Sequence, residues 1–121
     1  MKKILFIEDE EALQKTLSEV LTQEDFKVIS SLDGETGLEL AKKEKPDLVL
    51  LDLILPKMNG FDVLASLKSC EETKEIPVVV MTNLENLENV ERAIEAGATT
   101  YLCKAQYSLT EILEKIKRIL E

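Results

Sequence analysis

Asp52 occupies the place in this chain where chemistry is most readily set. It ends the apolar run Leu48-Val49-Leu50-Leu51 and begins Leu53-Ile54-Leu55-Pro56-Lys57-Met58-Asn59-Gly60, so a carboxylate stands where a buried strand gives way to a loop. A charge in such a place must be offset by a cation or by hydrogen bonds, because desolvating it unpaired is costly. Partners of the right type end the other apolar runs: Glu8-Asp9 follows Ile4-Leu5-Phe6-Ile7, Thr82 follows Val78-Val79-Val80-Met81, and Lys104 follows Thr99-Thr100-Tyr101-Leu102-Cys103. Three carboxylates gathered at one point repel unless a cation holds them. All-oxygen ligation by few protein groups suits Mg²⁺, which keeps several of its waters. A carboxylate beside that cation, a lysine and a hydroxyl can attack a phosphoryl group as a nucleophile, with Lys104 and Thr82 engaging the phosphoryl oxygens.

For these residues to meet, the elements carrying them must be adjacent. Ile4–Ile7, Leu48–Leu51 and Val78–Met81 are short continuous apolar runs, the pattern of strands covered on both faces of a parallel sheet. Phe26–Ser30 alternates and Thr99–Cys103 is β-branched and aromatic, which predicts two edge strands. Between them lie apolar residues at helical spacing: Leu13, Leu17, Val20 and Leu21; Gly37, Leu38 and Ala41; Val63, Leu64 and Leu67; Leu87, Val90 and Ile94; Leu109, Ile112, Leu113, Ile116 and Leu120. Ser108 with Glu111 predicts a capping box, Gly97 a helix stop, Asn59-Gly60 a turn and helix start, and Pro46 and Pro77 stand just before strands. Five βα units are too few for a closed barrel, so the predicted fold is an α/β, flavodoxin-like, open doubly wound sheet of five parallel strands in the order 2-1-3-4-5, with five helices. In that order strands one and three are neighbours, and Glu8, Asp9, Asp52, Thr82 and Lys104 fall at one edge of the sheet.

Composition bounds the function. With 121 residues, 45% hydrophobic and 32% charged, the chain is predicted to be a single domain, residues 1–121, able to bury roughly two thirds of the surface its unfolded form exposes. The net charge of −9 opposes direct contact with a nucleic-acid backbone or an anionic membrane. No apolar stretch approaches the ~20 residues that span a bilayer, and Met1-Lys2-Lys3 leads into a run too short for a signal peptide, so a cytoplasmic location is expected. Cys70 and Cys103 are the only cysteines; with no CxxC spacing and no histidine, they read as reduced, packed thiols rather than a zinc site.

The residues Ile7-Glu8-Asp9-Glu10, Asp52 to Gly60, Met81-Thr82 and Tyr101-Leu102-Cys103-Lys104 resemble a bacterial two-component response-regulator receiver domain of the chemotaxis-regulator type, and the resemblance spans the whole chain. It implies that a sensor histidine kinase or phosphotransfer protein passes a phosphoryl group to Asp52, and that the chain then signals through contacts with a downstream protein. It also implies that Glu8, Asp9, Asp52 and the backbone carbonyl of Ile54 hold Mg²⁺, that Thr82 and Lys104 contact the phosphoryl oxygens, and that Tyr101 changes rotamer as Thr82 is drawn inward. Such a chain is no enzyme toward other substrates but supports its own phosphorylation and dephosphorylation. A stand-alone receiver is expected in preference to one excised from a longer regulator.

Each residue has a plainer reading when taken singly. The acids from Glu8 to Glu11 could complement a helix dipole, Thr82 could be a cap, Lys104 a solvated lysine and Tyr101 an edge-strand aromatic. Only their combination reverses those readings. Three departures from the family pattern are visible: Glu8 where an aspartate is usual, Asn83 where a small residue is usual, and Ala105 in place of a proline that follows a cis peptide bond. A trans Lys104–Ala105 bond is expected, since a cis bond to a non-proline costs roughly 2.5–4 kcal/mol. In the family's fold the residues two beyond Asp52 and two beyond Thr82 flank the path of a hydrolytic water; here they are Ile54 and Leu84, which predicts slow self-dephosphorylation. An aspartate-nucleophile phosphatase would need an acid where Ile54 stands, and a flavodoxin's phosphate loop would be repelled by Glu8-Asp9-Glu10-Glu11. The remaining rival is a receiver-like interaction module not controlled by phosphorylation.

Overall fold

The structure is a computed structural model, which describes residues 1–83 and 87–121, Leu87 by its backbone only. Leu84 therefore lies outside the described residues. Strands and helices alternate as β1 (Lys3–Ile7), α1 (Glu11–Gln23), β2 (Lys27–Ser31), α2 (Gly34–Glu44), β3 (Leu48–Leu51), α3 (Gly60–Ser69), β4 (Val78–Thr82), α4 (Leu87–Glu95), β5 (Thr100–Cys103) and α5 (Leu109–Leu120), with a 3₁₀ turn at Lys104–Gln106. The sheet has the order β2-β1-β3-β4-β5, and every pairing is parallel. The predicted order and both predicted edge strands are observed. β2 starts one residue later than the alternating pattern suggests, because the Phe26 amide is taken by the Leu21 carbonyl at the end of α1.

Each central strand divides its side chains between two cores, as the period of two requires. Leu5, Ile7, Val49, Leu51, Val78 and Val80 face α2, α3 and α4 through Ala41, Val63, Leu64, Leu67 and Ala93. Ile4, Phe6, Leu48, Leu50, Val79, Met81 and Leu102 face α1 and α5 through Leu17, Leu21, Ile112 and Ile116. Every one of those strand side chains is essentially removed from water, and each contributes ~1.5–3 kcal/mol by burial.

Helix ends follow their local chemistry. Asp33 caps α2 by accepting from the Thr36 amide at 2.8 Å, Asn59 caps α3 by accepting from the Phe61 amide at 2.7 Å, and Ser108 and Glu111 form the predicted capping box on α5. Gly97 ends α4 at φ +107°, a conformation that excludes most side chains. In α4 one residue of the predicted apolar spacing, Ile94, lies off the buried face. Ala93 is fully buried while Ile94 is 47% exposed, so the helix turns its small residue, not its large one, onto the sheet.

Candidate functional site

The carboxyl ends of β1, β3, β4 and β5 meet at one edge of the sheet. Backbone pairing continues past the strands: the Glu8 amide donates to the Ser31 carbonyl at 3.0 Å and the Asp52 amide donates to the Ile7 carbonyl at 3.0 Å. These bonds place the acids that follow β1 against the acid that follows β3. One carboxylate oxygen from each of Glu8, Asp9 and Asp52 lies within 4.8 Å of the others, although Asp52 stands more than forty positions from the other two in sequence. Glu8 is 0% exposed and Asp52 4%, whereas Asp9 faces solvent.

Lys104 reaches into this cluster from the end of β5. Its Nζ donates to Asp52 Oδ2 at 2.9 Å and sits 2.5 Å from Glu8 Oε1 as an ion pair. One ammonium thus serves two buried carboxylates. Burial pushes the Glu8 carboxyl up to about 7, against the lowering effect of Lys104 and with a further rise from the Asp52 charge. Burial would lower the Lys104 ammonium, but its contacts with Glu8 and Asp52 and their charges outweigh that and raise it. Asp9 has no cationic partner among the described residues. The group is therefore short of positive charge, and its all-oxygen donor set fits a hard divalent cation.

The other predicted residues have definite places. The Ile54 amide donates to Asp52 Oδ1 at 3.2 Å, so both oxygens of Asp52 are engaged, while the Ile54 side chain is 56% exposed. Thr82 is fully buried at the last position of β4, in register with Cys103 on β5. Tyr101 is half-buried on β5 opposite Val80, and burial raises its phenol, with smaller effects from Cys103 and Asp52. No peptide bond among the described residues is cis, which agrees with the expected trans Lys104–Ala105 linkage.

The loop after Asp52 is held by Gly60. Its amide donates to the Leu53 carbonyl at 3.0 Å, and a Cβ there would lie 2.3 Å from Leu53 Cα and 2.6 Å from the Asp52 carbonyl oxygen. Backbone stands where the side chain would go, so only glycine fits. Lys57, in the same loop, takes φ +66°, and its ammonium lies 3.8 Å from Asp33 at the start of α2.

Sequence reasoning did not single out Gln14. It is buried on α1, and its Nε2 lies 2.9 Å from the Phe6 carbonyl, 2.9 Å from the Ser31 carbonyl and 3.3 Å from the Glu8 carbonyl. A signal was available, since the buried positions of α1 are 14, 17 and 21, and a glutamine on that stripe needs polar partners.

Residues 4–117 match the response regulator receiver domain family. The chain belongs to that family. Receivers are the phosphoacceptor switches of two-component signalling, and they interact with histidine kinases or phosphotransfer proteins. This receiver is 38% identical to the response regulator PleD of Caulobacter vibrioides over 102 residues, 84% of the chain and 22% of PleD. It is 33% identical to sporulation initiation phosphotransferase F of Bacillus subtilis over 119 residues, 98% of the chain and 94% of that protein. Among solved structures, the Mn²⁺-bound form of response regulator Rcp1 superposes with a TM-score of 0.84 at 34% identity, covering 98% of the receiver and 91% of Rcp1. The receiver spans 22% of PleD and 49% of another curated relative, a DNA-binding transcriptional regulator of Synechocystis. No helix among the described residues is long and apolar enough to cross a membrane.

Proposed function

We propose that the chain, as a single receiver domain, takes a phosphoryl group onto Asp52 from a sensor histidine kinase or phosphotransfer protein in the cytoplasm. The observation that supports this most is the position of Lys104, 2.9 Å from Asp52 and 2.5 Å from Glu8, against two of the three acids that cluster at the carboxyl edge of the sheet. In the transfer, an Asp52 carboxylate oxygen forms a bond to phosphorus while the bond from phosphorus to the donor's imidazole nitrogen breaks. The imidazole leaves with that electron pair and takes up a proton. Each oxygen of Asp52 keeps lone pairs beyond those used by Lys104 and the Ile54 amide, so hydrogen bonding does not block attack.

Lys104 carries three N–H donors on a flexible stem and can follow negative charge from Asp52 onto the phosphoryl oxygens. Thr82, buried at the end of β4, offers a hydroxyl to another of those oxygens. Tyr101, on the adjacent strand, responds to the change at Thr82 and carries it to the surface read by a downstream protein. Glu8, Asp9, Asp52 and the Ile54 carbonyl would hold Mg²⁺. When bound, that ion supplies charge neutralisation for the phosphoryl oxygens. The −9 charge supports readout by protein contacts rather than by direct nucleic-acid binding.

Incubation with acetyl phosphate and Mg²⁺ tests the assignment. Intact mass should rise by one phosphoryl group in the native chain and remain unchanged in Asp52→Asn. Incorporation that persists in the variant would move the acceptor elsewhere, and none in the native chain would favour a module that works without phosphorylation.

A further inference from the structure

The acids are held by more than the sheet. Glu8 follows β1 directly, beyond the last β1–β2 pair, Ile7 with Ser31, so its backbone lies outside the regular ladder. Its amide has a partner in the Ser31 carbonyl. Its carbonyl is met by a side chain from the other layer, the amide of Gln14. Gln14 Nε2 has two hydrogens and three carbonyls within 3.3 Å, from Phe6, Glu8 and Ser31. These acceptors belong to the ends of β1 and β2, so the amide ties α1 to both strands at the point where they release the acidic loop. The orientation of the amide is fixed by this arrangement, because turning it over would set an oxygen against three carbonyl oxygens.

Gln14 is 6% exposed, and its Oε1 is buried without a hydrogen-bond partner. Leaving a buried amide oxygen unsatisfied costs free energy that an apolar residue would avoid. The hydrogen bonds on its other side offset that cost at this position on the stripe it shares with Leu17 and Leu21, and one of them holds the main chain of Glu8, and through it the direction in which Glu8 and Asp9 leave the strand.

We infer that Gln14 is a positioning residue for the metal-binding acids, acting through the Glu8 main chain without touching the ion. The inference rests on the reading of Glu8, Asp9 and Asp52 as a Mg²⁺ site. Supporting contacts to ligating residues govern metal affinity by about 10–100-fold in proteins generally, and a loss in that range is expected when this one is removed.

The test is Mg²⁺ affinity, by calorimetry or amide chemical shifts, well below the melting temperature. Gln14→Met removes the donor at nearly constant volume and should weaken Mg²⁺ binding at least tenfold. Leu17→Ala, one turn further along the same buried stripe, destabilises the fold by a cavity without contacting Glu8 and should leave affinity within twofold of the native value. Should Gln14→Met not fold, Gln14→Asn, which retracts the amide by one methylene, gives the same readout. Native-like affinity in the Gln14 variant, or an equal loss in Leu17→Ala, overturns the inference while the metal reading stands. No saturable Mg²⁺ response in the native chain overturns the metal reading, and the inference with it.

Discussion

Asp9→Asn should stabilise the metal-free protein and destabilise the Mg²⁺-bound one relative to the native chain. In the structure an Asp9 oxygen lies within 4.8 Å of oxygens on Glu8 and Asp52, and no cation among the described residues pairs with it. Two like charges at that distance repel by about 1 kcal/mol in a water-like dielectric, the appropriate choice for an exposed side chain, and salt at physiological strength reduces this further. With two such neighbours, partly offset by the Lys104 ammonium that both of them pair with, removing the charge should stabilise the metal-free fold by about 1 kcal/mol. For a domain of this size that corresponds to a rise in melting temperature of roughly 3–8 °C. Mg²⁺ acts in the opposite direction. If it binds with a dissociation constant of about 1 mM, a tenfold excess stabilises the native chain by roughly 1.4 kcal/mol, and the variant should lose most of that gain. Melting curves at about pH 8, where Glu8 is largely ionised, with EDTA and then with about 10 mM MgCl₂, measure both effects. A variant that melts below the native chain in EDTA, or that keeps the full Mg²⁺ shift, would refute the charge accounting of the site.

A pH titration of the metal-free protein should show stability falling between about pH 4.5 and about pH 7, because folded Glu8 holds a proton in that window that the unfolded chain has released. Glu8→Gln should flatten that slope in urea unfolding; an unchanged slope would place the proton elsewhere. Gly60→Ala forces a Cβ to within 2.3 Å of Leu53 Cα and should cost about 3 kcal/mol by urea midpoint. A cost below about 1 kcal/mol would mean that the loop after Asp52 yields easily. Ile54→Asn replaces an exposed apolar side chain beside Asp52 by one that can orient water, and phosphoprotein decay after donor removal should accelerate about tenfold if the barrier falls by about 1.4 kcal/mol. Decay at the native rate or slower would show that this side chain does not govern access.

The sheet was legible because its three central strands are buried on both faces: uninterrupted runs such as Leu48–Leu51 and Val78–Met81 have few other uses in a chain of this length. The placement of Glu8, Asp52 and Lys104 then followed from topology, since the residue after each parallel strand must come out on the same edge. Local pattern failed where a residue's surroundings are set by other layers. Ile94 fits the helical spacing but faces solvent because Ala93 takes the close approach to the sheet. Gln14 lies on the right stripe, yet its partners come from Phe6, Glu8 and Ser31 on two strands. Which of Glu8 and Asp9 is buried also depends on how the chain turns after β1, which composition and spacing do not encode.

Lys104 gives the site a place in time as well as in space. Its contacts with Asp52 and Glu8 bridge the chain from the last strand to the first, and contacts of such sequence separation form late, after loop closure has been offset by the rest of the sheet. During synthesis from the N-terminus, Glu8, Asp9 and Asp52 leave the ribosome well before Lys104. A nascent chain holding only the first three or four strands would present crowded acids with no ammonium among them. With Lys104 in the role proposed for it, competence to accept a phosphoryl group arrives with the completed sheet, and a phosphoryl donor meeting an unfinished chain would find no working receiver to modify.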